Sequence, residues 1–497
     1  MRLALFLHFY QPANQQKDIL EAVVAQCYRP LLDGLLDNQR ARLTLNVSGG
    51  LLESLAKHGF SDVIQKFKAL VLTNRVEFTS TACYHAFLPL LPKEEINRQI
   101  TLNNALLHEF LGVAPVGFFP PEMAFGEGLD DLVKAMGFRY MILDEISRAG
   151  DGGISKPRSY FRAHTSQLAL LFRQRNPSNL IMSGIERDSS TLTATLEKYA
   201  HDTGTPVIAM DGETFGHHRP GLEKVLLAFL ARADIDLLKL SEVLDYGEGG
   251  DVSEIALQNS TWASSLDDIA RGVQFISWND PANSIHKWQW ELLNLMLAEV
   301  ESLSHTMPVY EEVRSMADRA LASDQFFWAS AKPWWSVEMI ESGAFDLVSV
   351  LEKVPSLAPK KLDRAKSLYR AIVSTAFDWQ RTGKIREMNR GRNNYQRIAF
   401  KDRTLGVGGK EACVYEAFVA MLKTQEQVAR EKGEYEKAIL WRDAIYKIET
   451  KNDIYDAINA IDLLRIEISN EEVEKTLDRY TQKFKAIRGG QPEQRSN

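Results

Sequence analysis

Two carboxylates in this sequence occupy settings that suit chemistry. Glu122 follows Gly117-Phe118-Phe119-Pro120-Pro121, and Asp211 opens the run Asp211-Gly212-Glu213-Thr214-Phe215-Gly216-His217-His218. Proline fixes its own φ and turns its predecessor away from the α region, so Pro120-Pro121 should end a strand abruptly and set Glu122 on a stiff turn. The aromatic run around it limits water and raises a carboxyl pKa. Taken alone, the stretch also reads as a strand terminus with one solvated Glu. Around Asp211, two acids and two histidines gather about two glycines, whose backbone freedom brings side chains close to a ligand. Two lone carboxylates at separate strand ends are the minimum equipment for glycoside hydrolysis. A retaining mechanism holds them about 5–5.5 Å apart, one as nucleophile and one as acid/base.

Other polar residues follow apolar runs in the same way. His8-Phe9-Tyr10-Gln11-Pro12 comes directly after Leu3–Leu7, and Arg75-Val76-Glu77-Phe78 leads into Cys83-Tyr84-His85. His8 and Gln11 can hydrogen-bond the hydroxyls of a polar ligand; a histidine that merely caps the strand end is the alternative. None of the ten histidines forms HxH, HxxxH or HExxH, the spacings that put two imidazoles on one face. A zinc-dependent polysaccharide deacetylase or mannosidase would need long-range convergence of His8, His85 and His217. No GxGxxG after a strand, no Walker A and no GxSxG occurs, which leaves nucleotide-binding and serine-hydrolase readings without support.

These residues need strand ends that point into one mouth. Leu3–Leu7, Leu43–Val47, Val76–Thr79, Val116–Phe119, Tyr140–Leu143, Ala169–Phe172 and Val207–Met210 read as strands. Helical periods intervene, as over Asp18–Leu36, from Leu51, and over Glu94–Glu109. Strand–helix alternation implies parallel strands with crossover helices, hence an α/β sheet or barrel, and this many strands over the first half favour a barrel. Polar and aromatic residues directly after each strand place a site at the carboxyl ends. Beyond about residue 285 the character turns helical, over Ile285–Ser302, Val309–Ser323 and Leu362–Thr382. The expected domains are a catalytic barrel over 1–280, a helical domain over 281–404 that completes the site, and a charged helical tail over 405–497. Within the tail, Glu426–Glu449 resembles the small helical hairpin of the UvrB/UvrC type; an amphipathic pair that packs on the body or on a partner chain is the alternative. Gly490 onward is expected to be disordered.

The 497 residues imply roughly two to four domains. A net charge of −7 with no basic tract before the tail argues against a nucleic-acid partner. Three distant cysteines, Cys27, Cys83 and Cys413, fit a reduced compartment and argue against a thiolate metal site. The first apolar run is strand length, and no segment reaches about 18 uncharged apolar residues, so a cytoplasmic protein with no membrane association is expected. A homo-oligomer is compatible with all of this.

Together these stretches resemble glycoside hydrolase family 57, the α-amylase and 4-α-glucanotransferase family. Its five regions correspond here to His8–Pro12, Glu77 with Tyr84-His85, Phe119–Glu122, Asp211–Gly216, and Ser323-Asp324-Gln325-Phe326-Phe327-Trp328. The resemblance runs from residue 1 to about 340. It implies an incomplete TIM-like (β/α)7 barrel followed by a helical domain whose Ser-Asp motif closes the site. It also implies retention of configuration, an α-glucan or oligosaccharide substrate, and no cofactor or metal. Glu122 then matches the nucleophile and Asp211 the general acid/base. Glu213 supports the site, and His8, Gln11, Glu77, Tyr84, His85, Trp262, Trp278 and Asp324 are candidates to bind substrate. Tyr10 stands where the family has a second histidine, Phe119-Pro120 replaces Trp-Leu or Trp-Thr, and Met210 stands where an acid often precedes Asp211. These departures bear on specificity and leave both acids in place. A non-catalytic carbohydrate-binding protein on the same barrel and a metal-dependent deacetylase are the competing readings.

Overall fold

In the computed structural model the described residues are 1–149, 160–184, 188–203, 205–246, 253–332, 334–390, 414–450 and parts of 463–480. The expected disorder from Gly490 onward and the expected boundary at 404/405 lie outside them, and so does Cys413.

Among the described residues there are ten strands: β1 (Arg2–Phe9), β2 (Leu43–Val47), β3 (Val76–Thr79), β4 (Gly117–Phe118), β5 (Tyr140–Asp144), β6 (Phe161–Ala163), β7 (Ala169–Arg173), β8 (Val207–Asp211), β9 (Asp236–Leu238) and β10 (Glu254–Ile255). Strand β1 is buried from Leu3 to Phe9, and β2, β5 and β7 are buried throughout. Such continuously apolar runs suit parallel strands covered on both faces.

Strand β1 lies between β2 and β8, with His8 opposite Asn46 on one side and Asp211 on the other. Strand β2 continues to β3, where Asn46 faces Thr79. The bridge Ser80–Phe118 joins β3 to β4, through amide bonds Ser80 N–H to Gly117 O and Phe119 N–H to Ser80 O, both 2.9 Å. Strand β4 then pairs with β5, β5 with β7, and β7 with β8 at Arg173–Val207. Seven parallel strands thus run round as a nearly closed barrel with helices between them. Gly117 is required in β4, since a Cβ there would fall 2.1 Å from the Tyr140 ring. Strands β6, β9 and β10 were not legible: each is two or three residues long, too short to show a period.

Barrel and following helices form one compact unit, Met1–His217 with Glu223–Met388. Its helical part holds Ser284–Glu301, Tyr310–Ala320, Asp324–Phe327, Val337–Lys353 and Pro359–Thr382. Buried Phe87, Phe118, Trp278, Trp290 and Phe326 belong to one continuous apolar core. Helix Val337–Lys353 was not anticipated, although its buried Ile340, Ala344, Leu347, Val348 and Leu351 follow a helical spacing. The second unit comprises His218–Leu222 and Asn389–Asn497. It contains a helical pair, Val414–Glu431 and Tyr435–Thr450, whose connection includes Gly433 at φ 71° and whose apolar core includes buried Trp441. Among the described residues no helix is long and apolar enough to cross a membrane.

Candidate active site

Glu122 sits in the left-handed region at φ 62°, ψ 16°, inside the turn Pro121–Met123, and Met123 follows at φ 46°. Non-glycine residues persist there only where their surroundings hold them. The prolines begin the turn, but a second strand-like segment fixes it. Phe125 and Ser260 exchange amide bonds at 2.8 and 3.1 Å, and Trp262 N–H donates to Glu122 O at 3.1 Å. The Trp262 indole N–H then donates to Glu122 Oε2 at 2.7 Å, which aims the carboxyl group.

Asp211 closes β8, directly beside His8 on β1. The Asp211-Gly212-Glu213 turn needs a glycine five residues on: Gly216 has φ 109°, and a Cβ there would lie 2.0 Å from Gln26 O. His8 links the two acids. Its ring lies 4.6 Å from that of Phe119 and 5.2 Å from that of His85, and His85 Nδ1 lies 3.8 Å from Glu122 Oε1. His85 also has positive φ, 56°.

The buried histidines have defined tautomers. Asn46 donates through Nδ2 to Thr79 O and Thr79 Oγ1, so its Oδ1, 2.7 Å from His8 Nδ1, accepts from that nitrogen. His8 Nε2 is therefore an acceptor and takes the proton of His85 Nε2 at 3.2 Å. That leaves His85 Nδ1 with a lone pair, to which the Ser323 hydroxyl donates at 3.1 Å. Burial pushes His8 down to about 4 and His85 well below its ordinary value, so both rings are neutral near pH 7.

Asp324 arrives from the helical part. Ser323 N–H donates to His85 O at 3.2 Å, and the Tyr10 hydroxyl donates to Asp324 Oδ2 at 2.5 Å. Tyr10 stacks on His85 with ring centroids 4.0 Å apart, and its amide donates to Glu213 Oε1 at 3.1 Å. The Tyr28 hydroxyl donates to the same oxygen at 2.5 Å and in turn accepts from Gln11.

Four carboxyl groups thus converge, Glu213 buried and Glu122, Asp211 and Asp324 half-buried, and burial is the first cause that raises each. Glu122 is pushed up to about 8, with the charges of Asp211 and Asp324 adding to burial and the Trp262 bond opposing. Glu213 also reaches about 8, through burial and then Asp211. Asp211 and Asp324 reach about 6; the Arg173 guanidinium restrains Asp211 and the Tyr10 hydroxyl restrains Asp324.

Not every expected residue joins this group. Glu77 accepts from Tyr140 Oη (2.5 Å), Thr44 Oγ1 (3.4 Å) and Ser241 N–H (3.2 Å), ties between strands and the helix Leu240–Tyr246 rather than to the four acids. Tyr84 donates to Glu53 at 2.8 Å beneath the Arg319 guanidinium. Trp278, 1% exposed, is stacked between Phe87 and Phe327 at 5.0 and 5.6 Å and is a core residue. His217 bonds Gln26 at 2.8 Å, away from His8 and His85. Among the described residues no three His, Cys, Asp or Glu side chains are grouped to hold a metal ion.

Sequence reasoning missed a buried charge cluster behind the site. Asp144, at the end of β5, pairs with Arg173 at 2.8 Å and Arg175 at 2.5 Å; Arg173 donates to Ala209 O at 2.8 Å, and Arg175 to Trp262 O at 2.9 Å. Asp144 and Arg173 each end an apolar run, the same signal that drew attention to Asp211. Asn46 and Tyr10 were also missed as orienting groups.

The fold agrees with known structures. The profile of glycosyl hydrolase family 57 matches residues 5–256, half of the sequence, and the chain belongs to that family. Alpha-amylase 1 of Dictyoglomus thermophilum is 24% identical over 142 residues, 29% of this chain and 21% of that protein. The chain covers a quarter or less of the length of the curated relatives it matches, 21%, 25% and 24%. A 4-alpha-glucanotransferase from Thermococcus litoralis superposes with a TM-score of 0.55 at 16% identity, over 72% of this chain and 59% of that one. A GH57-type branching enzyme from Pyrococcus horikoshii superposes with a TM-score of 0.57 at 16% identity, over 76% and 96%. At such identities the structural likeness speaks to the fold.

Proposed function

We propose that this protein is a retaining enzyme acting on α-glucans or α-linked oligosaccharides, with Glu122 as nucleophile and Asp211 as general acid/base. The observation that carries the reading is the half-buried pair itself. The two acids stand at the carboxyl ends of separate barrel strands, β4 and β8, the charge of Asp211 acts on Glu122, and Glu122 is aimed by an indole N–H. Glu122 attacks the anomeric carbon while Asp211 protonates the departing oxygen; Asp211 then deprotonates water or a second sugar hydroxyl, which releases the glycosyl group from Glu122.

The proton distribution must change when a sugar binds. In the free site the proton of the pair rests on Glu122, since Arg173 lowers Asp211 and the neighbouring acids raise Glu122. A nucleophile must be ionised and an acid protonated, so one proton passes from Glu122 to Asp211 as the complex forms. Strongly interacting carboxyls titrate as a pair, and positive charge developing at the anomeric carbon favours the ionised form of the group nearest it. Ser323 and Tyr10 hold His85 and Asp324 in place beside Glu122. Family membership supports the substrate class, as do the alpha-amylases and a glucanotransferase among the similar proteins.

The test is kinetic. Glu122→Gln and Asp211→Asn are each expected to lower turnover of malto-oligosaccharides by about 10³-fold or more while the fold persists. Near-wild-type turnover by either variant overturns the assignment.

A further inference from the structure

Next to the carboxyl cluster lies a cavity of about 570 Å³, bounded by helix Gly49–Lys57, the loop after β1, and helices Tyr310–Ala320 and Val337–Lys353. Asp324 belongs to both places: it lines the cavity, bonds Tyr10, and acts through its charge on Glu122. The cavity walls have a mixed chemistry. Phe110, Met316 and Met339 supply apolar surface. Arg319 and Glu53 meet at 3.1 Å, and Asn14 donates to Asp346 at 3.3 Å, so donors and acceptors alternate around the walls. Glu53, Asp324 and Asp346 stand against Lys57 and Arg319, which leaves no cationic field to select a phosphate. Two buried wall residues, Ser54 and Gln325, each have a side-chain oxygen with no hydrogen-bond partner.

We propose that this cavity is a second saccharide site, which takes one or two neutral hexose units of a glucan past Asp324 and selects chains long enough to reach it. A pyranose has an apolar C–H face and a rim of hydroxyls, which is the pattern of the walls, and the volume suits a small ligand. The proposal rests on the α-glucan reading above. Binding at this distance from the reacting bond favours long substrates over short ones. Tyr84, which bonds Glu53 beneath Arg319, braces this wall rather than the catalytic pair.

Ala56 is exposed on the rim, where a larger side chain blocks entry without disturbing the core. Two measurements on the full chain test the idea: kcat/KM on maltoheptaose and on an aryl α-glucoside, and calorimetric binding of maltotriose to Glu122→Gln with and without Ala56→Trp. Ala56→Trp is expected to lower kcat/KM on maltoheptaose about tenfold, leave the aryl glucoside unchanged and weaken maltotriose binding. Should that variant fail to fold, Lys57→Trp on the same exposed rim replaces it. Equal kinetics on both substrates with unaltered maltotriose binding overturn the second site and leave the α-glucan reading intact. No turnover by the wild type, with maltotriose binding still sensitive to Ala56→Trp, overturns the enzymatic reading and keeps the site. Loss of both overturns both.

Discussion

Replacing Trp262 by Phe removes one hydrogen bond and keeps an aromatic ring beside Phe119, 6.1 Å away between centroids. The lost bond is the indole N–H to Glu122 Oε2, 2.7 Å long and part-buried. It favours the ionised carboxylate, so it holds the Glu122 pKa below what burial and the neighbouring acids alone would set. A hydrogen bond to a charged group contributes about 1.5–3 kcal/mol. At about 1.4 kcal/mol per tenfold change, its loss raises Glu122 by about one to two pH units, so the proton shared by the pair passes that much less readily to Asp211. The productive arrangement, ionised Glu122 with protonated Asp211, becomes about 10- to 100-fold rarer; kcat/KM falls by that factor near neutral pH and its basic limb moves up. The assay is kcat/KM on a malto-oligosaccharide from pH 5 to 9, with near-ultraviolet circular dichroism to confirm the packing. A basic limb that stays in place, with rates within a factor of two, refutes the role given to the indole.

Two further outcomes follow from the same electrostatics and packing. Glu122 and Glu213 have folded pKa values above the usual carboxyl range, so the folded state binds more protons than the unfolded one, and stability falls as pH rises through about 8. His8 and His85 are neutral in both states above about pH 6.5, so they do not mask this. Glu122→Gln should therefore raise the melting temperature at pH 8.5 and flatten its decline between pH 7 and 9; an unchanged slope contradicts the proton-retaining carboxyl. Trp278→Ala should cost about 3–5 kcal/mol in urea unfolding as a core truncation. A loss below about 1 kcal/mol with a selective rise in KM would return Trp278 to the substrate.

The barrel was legible because most of its strands are buried on both faces and appear as apolar runs. The seven ring strands coincide with the expected ones, although β2 carries Thr44 and Asn46 and β3 carries Glu77, and the chemistry-bearing residues stand at or just past the strand ends. What escaped depended on contacts between distant segments. The prolines announced a turn at Glu122, but its left-handed backbone is held by Ser260 and Trp262, which no local pattern connects to it. Tyr10 stood out as the replacement for a histidine, yet its hydroxyl bonds Asp324, more than 300 positions away. Glu77 looked like a site residue because it lies in a strand that leads to one; in the structure it ties β3 to Tyr140, Thr44 and Ser241. Asp144 and Arg173 become significant only as a pair, and pairing across strands is invisible to spacing.

The central claim is that Glu122 forms a covalent glycosyl intermediate and Asp211 serves both of its steps. Proton NMR of the first-formed products from a malto-oligosaccharide, recorded before mutarotation, tests it most directly. The α-anomer at the new reducing end is the predicted result. The β-anomer, or an uncleaved substrate after prolonged incubation, would contradict it.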